Sequence, residues 1–360
     1  NQEETANPQS NIGGFSMKLT PTRTALAAGL ALLAQSATAE GNLNIYNFGL
    51  YTPPALLEKF SEEYDVEVTL TDFVANEEAI ARIQAGGHGM DVAIISGYFI
   101  PAYVEQGLLM ESNPTEMENF KHVAEQWKSI SNDPERKYTV PWVWGTTGVM
   151  VNKKVYDGDI NTAAIFLDPP DELKGSINLV PSMNDTIDMT LRYLGAEPCT
   201  TDRESLSKAR DLLLSAKENW ASVDYPSFEK FINGDLNASV FWSGAAARVR
   251  GLNDGFAYGW PETGYMQWMD SVAILSDAAN VENAKLFMNF IMTPENAAMI
   301  SNYTMYNNGI AGSEEFMNPD LVNAPELNVP EELKGAAIDQ SLCEPEAQDL
   351  YTRIWTELTR

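Results

Sequence analysis

The chain has 360 residues, of which 23 are basic and 51 are acidic, so its formal net charge is −28. Such a chain is a poor partner for nucleic acid and for anionic membrane surfaces, whereas it attracts cationic ligands. An acidic surface is also a solubility feature of proteins from salty water, and composition leaves both interpretations open. Only two histidines are present, His88 and His122, and their spacing argues against a zinc site or a His-based catalytic triad.

The first segment has the pattern of an export signal. Met17-Lys18 precedes a short apolar run at residues 25–34, and Ala37-Thr38-Ala39 has the small-residue pattern of a cleavage site. We therefore predict a leader over residues 1–39, with a signal peptide from about residue 17, and export to the periplasm if the source is Gram-negative. In an exported protein Cys199 and Cys343 can form a disulfide, but their separation in sequence does not decide whether they do.

Strand and helix patterns alternate along the rest of the chain. Apolar and β-branched runs predict strands at 43–46, 66–70, 91–95, 148–151, 177–180 and 238–241. Amphipathic periodicity and capping residues predict helices at 53–60, 76–85, 98–107, 186–194, 205–218, 282–291, 294–301 and 347–358. This order indicates parallel sheets covered by helices.

About 320 residues follow the predicted cleavage site, which exceeds the usual size of a single core and predicts two domains. No long linker separates the two α/β units, so we expect lobes that are joined by strand crossings and close on a cleft. We predict that lobe 1 comprises residues 40–147 and about 271–315. Lobe 2 then comprises residues 148–270 and about 316–360.

Trp268 and Asp270 lie two residues apart in the stretch Tyr265–Ile274. If this stretch is a strand, both side chains leave the same face, because strand side chains alternate. An indole beside a carboxylate suits an organic cation, since the ring quadrupole and the negative charge attract the same ligand charge. The alternative is a core tryptophan next to a surface or capping aspartate.

Aromatic, hydroxyl and carboxylate side chains follow several predicted strands. Ligands of open α/β sheets bind at strand ends, so these residues are candidates for a binding site. The segments after the strands are Tyr46–Pro54, Ser96-Gly97-Tyr98, Pro181–Asp185 and Trp242-Ser243-Gly244.

The ordered motifs resemble a known family. They are Tyr46-Asn47-Phe48 through Pro53-Pro54, Pro141-Trp142-Val143-Trp144-Gly145, Trp242-Ser243-Gly244 and Trp268-Met269-Asp270-Ser271. With them, the sequence from about Gly41 to Arg360 resembles the spermidine/putrescine-binding proteins that feed bacterial polyamine ABC transporters. The resemblance implies an α/β, two-lobe periplasmic binding protein of type II-like architecture with a hinged interlobe cleft. It also implies a membrane permease as partner, no cofactor, and a monomer.

In this family an aromatic box holds the methylene chain of the ligand and carboxylates hold its ammonium groups. The resemblance therefore implies ligand-binding roles for Phe48, Tyr51, Ser96, Tyr98, Ser182, Asp185, Trp242, Trp268, Asp270 and Tyr306. Leu50, Ser182 and Ala245 stand where some relatives have acids, so the pocket retains fewer carboxylates. A singly charged or quaternary amine, such as choline or betaine, then competes with a polyamine as the expected ligand.

Several positions have a structural alternative. Tyr98 is either a ligand contact or packing at a helix N-terminus, and Asp185 is either a ligand contact or the cap of a helix beginning near Thr186. Trp142 and Trp144 are interpreted as hinge or core packing. An exported hydrolase that uses two carboxylates, and an iron- or sugar-binding protein, are the competing functions.

Overall fold

The computed structural model describes residues 41–360, and the predicted leader and signal peptide lie outside these residues. The strands are β1 (Gly41–Phe48), β2 (Val66–Phe73), β3 (Val92–Ser96), β4 (Thr139–Asn152), β5 (Ile177–Leu179), β6 (Trp220–Val223), β7 (Ala238–Trp242), β8 (Phe256–Gly259), β9 (Tyr265–Ile274) and β10 (Ala337–Asp339).

The α-helices are α1 (Pro54–Tyr64), α2 (Asn76–Gln84), α3 (Ile100–Glu105), α4 (Ala164–Leu167), α5 (Met183–Tyr193), α6 (Arg203–Lys217), α7 (Glu229–Ile232), α8 (Ser243–Leu252), α9 (Val281–Ile291), α10 (Pro294–Thr304), α11 (Pro319–Val322) and α12 (Pro345–Leu358). Short 3-10 helices lie at Gly97–Phe99, Pro114–Glu116, Glu118–His122, Glu125–Trp127, Ser313–Glu315, Pro325–Leu327 and Glu331–Ala336. Within residues 41–360, none of the helices is both long and apolar enough to cross a membrane.

Every strand and helix predicted from the sequence is present, but several have different bounds. β4 begins at Thr139 rather than at Gly148, because a register shift between Pro141 and Val143 accommodates the proline within the strand. The helix predicted from Thr186 begins at Met183, three residues earlier. The segment after β3 starts as a 3-10 turn before it becomes α3.

The sheet has the strand order β2-β1-β3-β9-β4-β7-β5-β6, with β10 paired to β9 and β8 paired to β4. Strands β1, β2 and β3 are parallel to one another, and so are β5, β6 and β7. Between these two groups, β9 and β4 are antiparallel to each other and to their outer neighbours β3 and β7. The predicted parallel arrangement is therefore confirmed within each group, while the centre of the sheet is mixed.

The two central strands contribute to the two largest hydrophobic cores of residues 41–360. On β4, Val140 packs in a core with β1 and β3, whereas Val149 packs in a second core with α5, α6 and α12. On β9, Val272 lies in the first core and Met266 in the second. This arrangement matches the predicted lobes joined by strand crossings, and the lobe boundaries themselves stay a prediction.

A disulfide joins Cys199, between α5 and α6, to Cys343, just before α12. The backbone N–H of Cys199 donates to the Tyr351 hydroxyl (2.8 Å), and this hydroxyl donates to Asp188 Oδ1 (2.6 Å). The bond that the sequence left open therefore anchors the C-terminal helix to α5.

We expect the double substitution Cys199→Ser/Cys343→Ser to lower the free energy of unfolding by about 2–4 kcal/mol, because the disulfide restricts the unfolded chain over a long loop. Urea unfolding of both proteins, with and without reductant, measures this. Reductant should destabilise the wild type and leave the double variant unchanged; equal stability of the two oxidised proteins would contradict the prediction.

Candidate functional site

Asp270 is a buried carboxylate in the middle of β9, 7 % exposed and paired in the sheet with Ser96 of β3. The Tyr51 hydroxyl donates to Asp270 Oδ2 at 2.7 Å. Burial raises the pKa of Asp270 to about 6, and hydrogen bonds from the Tyr51 and Ser96 side chains oppose this rise. Among the described residues no basic side chain pairs with Asp270, so its negative charge has hydroxyl partners but no cationic partner.

Trp268 lies beside Asp270 and opposite Gly145 of β4. A Cβ at Gly145 would lie 2.6 Å from the indole ring, so the absence of a side chain there lets the ring lie across β4. The Trp268 ring contacts Tyr306 edge-to-face, with a centroid distance of 5.1 Å. Trp268 is thus held between a strand of the sheet and the segment after α10.

Four rings form a continuous aromatic wall, made of Phe48, Tyr51, Tyr306 and Trp268. Successive centroids are 5.7 Å apart for Phe48 and Tyr51, 6.2 Å for Tyr51 and Tyr306, and 5.1 Å for Tyr306 and Trp268. Each contact is edge-to-face, a favourable geometry for aromatic pairs. Because Tyr51 and Tyr306 link Asp270 to Trp268, the structure brings together the two residues that the strand pattern placed on one face.

Asp185 is a second buried carboxylate, 1 % exposed, in the first turn of α5. Thr147 Oγ1 donates to its Oδ2 (2.7 Å), and Gln340 Nε2 donates to its Oδ1 (2.6 Å). Burial raises the pKa of Asp185, while hydrogen bonds from Thr147, Gln340, Ser182 and Trp242 oppose the rise. The alternative that Asp185 caps a helix near Thr186 is wrong, because the helix begins at Met183. The carboxylate instead accepts hydrogen bonds from Thr147 of β4 and from Gln340, which follows β10.

Ser96 and Tyr98 lie beside the carboxylates. Asn76 Nδ2 is 3.2 Å from Ser96 Oγ and 3.5 Å from the Tyr98 hydroxyl. Burial raises the pKa of Tyr98, and the charges of Glu77, Asp185 and Asp270 raise it further. The Tyr98 phenol therefore lies within electrostatic reach of both buried carboxylates. Its ring also packs on Phe99, so the packing interpretation is confirmed, whereas its contact with a ligand stays a prediction.

Trp242 ends β7 and stacks on Tyr225, with ring centroids 5.7 Å apart and an interplanar angle of 27°. Sequence reasoning missed Tyr225, Thr147 and Gln340. Tyr225 follows β6 and Gln340 follows β10, so both lie at strand ends, but these strands have four and three residues and were not predicted. Thr147 lies inside β4, where the strand-end criterion does not apply.

Leu50, Ser182 and Ala245, which stand where some relatives have acids, lie in different surroundings. Leu50 is 81 % exposed at a left-handed backbone position (φ 58°), whereas Ala245 is buried in α8. Ser182 precedes α5 as its N-cap residue. Trp142 is in the core, and the half-buried Trp144 donates from Nε1 to the Asn308 carbonyl, which supports the packing interpretation of both.

A cavity of about 210 Å³ adjoins the site, and its lining includes Tyr98, Trp268, Asp339 and Gln340. Within residues 41–360 there is no group of three or more His, Cys, Asp and Glu side chains that could hold a metal ion. The polar groups of the site are instead carboxylates, hydroxyls and an amide beside aromatic faces, a combination that suits an organic ammonium group.

Residues 55–329 match the family model of the bacterial extracellular solute-binding proteins. The chain belongs to this family. The resemblance predicted from the motifs and the two-lobe α/β fold class are both confirmed.

Several proteins that are similar to this chain are named as polyamine-binding proteins. The chain is 30 % identical over 308 residues to the spermidine/putrescine-binding periplasmic protein of Escherichia coli K12, which covers 84 % of this chain and 88 % of that protein. It is 25 % identical over 359 residues to the E. coli putrescine-binding periplasmic protein PotF, covering 92 % and 96 %. A solved spermidine/putrescine ABC transporter substrate-binding protein of Streptococcus pneumoniae superposes with a TM-score of 0.79 at 24 % identity, covering 89 % and 98 %, and shows the shared fold.

We expect Asp270→Asn to flatten part of the pH dependence of stability. The pKa of Asp270 is raised from 3.8 to about 6, so the folded state holds its proton more tightly and stability falls as the pH rises through this window. Between pH 5 and pH 8 the wild type should lose about 1 kcal/mol more free energy of unfolding than the variant. Urea unfolding at both pH values measures the difference; parallel losses would contradict the assignment.

Proposed function

We propose that this protein is the substrate-binding component of an ABC importer, and that it binds a polyamine between its two lobes and delivers it to a membrane permease. The residues in contact with the ligand would be Phe48, Tyr51, Ser96, Tyr98, Ser182, Asp185, Trp242, Trp268, Asp270 and Tyr306, together with Gln340 and Tyr225.

The observation that carries the proposal is a pair of buried carboxylates without a basic partner among the described residues. Asp270 and Asp185 are both desolvated, and each is bonded to neutral donors. An ammonium group of the ligand would neutralise the charge that the protein leaves unpaired. The aromatic wall and Trp242 would pack against the methylene groups between the ammonium groups.

Two carboxylates favour a ligand with two cationic groups over one with a single quaternary group. Choline or betaine would satisfy one of the two aspartates and leave the other unpaired. The names of the relatives agree with this preference, since they specify spermidine and putrescine. We infer a binding role rather than the hydrolase role, because the relatives are solute-binding proteins.

The proposal includes export and a cycle of closure. The predicted signal peptide and the periplasmic relatives support a location outside the cytoplasmic membrane. Tyr51 belongs to the predicted lobe 1, whereas Asp185 and Trp242 belong to the predicted lobe 2. A ligand that contacts both groups would therefore stabilise the closed form, which the permease would recognise. We expect the binding protein to act as a monomer.

Isothermal titration calorimetry with putrescine, spermidine, choline and betaine tests the function. We expect the protein to bind one molecule of putrescine or spermidine per chain with saturation. Choline and betaine should bind more weakly or not at all. No binding to any amine would overturn the proposal.

The same titration with Asp270→Asn tests the assigned carboxylate. We expect loss of measurable amine binding, because the variant no longer has the charge that neutralises the ammonium group. Asp277→Asn is the matched control, since it removes the same charge from an exposed residue beyond β9. It should bind like the wild type. Unchanged affinity in Asp270→Asn would show that the carboxylate is misassigned.

Amine binding should weaken at acidic pH. The cation needs the ionised form of Asp270, whose pKa is about 6, so the affinity should rise with pH up to this value and then level off. We expect the Kd at pH 5 to be about tenfold higher than at pH 8, since about one carboxylate in ten is ionised at pH 5. Titrations in buffers of different ionisation enthalpy would detect the released proton; a Kd independent of pH would contradict the prediction.

A further inference from the structure

Arg248 is a cation beside a site that is proposed to bind cations. It lies on α8, the helix that begins directly after Trp242. Its Nη2 donates to the Thr304 carbonyl oxygen at 2.6 Å. No carboxylate of residues 41–360 forms an ion pair with it, whereas Arg250, two residues further, pairs with the buried Glu326 (2.5 Å). The positive charge of Arg248 is therefore left unneutralised by the part of the chain that the structure describes.

The charge of Arg248 acts on one side of the site. Burial raises the pKa of Tyr51, Tyr306 and Tyr225, and the charge of Arg248 opposes this rise in all three. Two of these belong to the aromatic wall, and the third stacks on Trp242 and is 50 % exposed. Thr304, whose carbonyl accepts from the guanidinium, lies two residues before Tyr306, and Gly244, one turn earlier on α8, adjoins the Tyr306 ring. This geometry places Arg248 beside the Tyr306 end of the aromatic wall.

The two carboxylates and the guanidinium of Arg248 have opposite effects on an ammonium group in the pocket. Asp270 and Asp185 each match one ammonium group, so a diamine uses both carboxylates. A third ammonium that continues along the rings would meet the positively charged guanidinium of Arg248. Like charges placed close together in a partly desolvated site repel strongly.

We propose that Arg248 is a specificity-determining residue that excludes a third ammonium group, so that the site selects diamines over triamines. This inference rests on the proposed function and specifies its substrate class. The selectivity arises from repulsion of the wrong ligand rather than from an added contact to the right one.

The test compares the Kd of spermidine with the Kd of putrescine in the wild type, Arg248→Met and Arg248→Lys. The wild type should favour putrescine. Arg248→Met should lower the ratio of the spermidine Kd to the putrescine Kd by about tenfold, because it removes the repelling charge while keeping an unbranched, flexible side chain. The hydrogen bond to Thr304 is lost for both ligands alike, so its loss cancels in the ratio.

Arg248→Lys is the control for charge, and it should keep a ratio close to that of the wild type. Added salt should lower the ratio in the wild type and have little effect in Arg248→Met, because salt screens a partly exposed charge. If both amines bind and the ratio is the same in all three proteins, Arg248 does not determine specificity. That result would place the third ammonium elsewhere, such as in the cavity beside Gln340. If neither amine binds the wild type, the proposed function itself fails.

Discussion

The central constraint on the site is the burial of the Asp270 carboxylate on β9, a strand that contributes Val272 to one core and Met266 to another. A carboxylate without a cationic partner is costly in a desolvated position, and its raised pKa reflects this cost. The hydrogen bond from Tyr51 and the sheet position beside Ser96 hold Asp270 in place without neutralising it. The fold therefore maintains a buried carboxylate without a cationic partner among the described residues, as the proposed amine site requires.

The surrounding elements position that charge and limit what can approach it. Antiparallel β4 and β9 cross between the cores, so they carry Thr147, Trp268 and Asp270 to the junction of the predicted lobes. Gly145 leaves space for the indole, and Gly244 allows α8 to approach Tyr306, where a Cβ would lie 2.6 Å from the ring. The same helix carries Arg248, so the close packing also brings a positive charge to the edge of the pocket.

Much of the fold and part of the site were predictable from the sequence. Long periodic segments such as α6 and α12 have enough residues to define a pattern, and the ends of β3 and β7 identified Ser96, Tyr98 and Trp242. The sequence pattern did not predict β6 or β10, so Tyr225 after β6 and Gln340 after β10 were missed. The antiparallel direction of β4 and β9 depends on their neighbours in the sheet.

Local sequence patterns were enough to predict the chemistry of individual positions. Alternation along a strand placed Trp268 and Asp270 on one face, and the residue types specified aromatic faces and carboxylates. The path of the whole chain determines which distant groups meet: the disulfide between Cys199 and Cys343, the donation from Gln340 to Asp185, and the hydrogen bond from Arg248 to the Thr304 carbonyl. Local geometry follows from the backbone repeat, whereas contacts across 144 or 155 positions depend on the path of the whole chain.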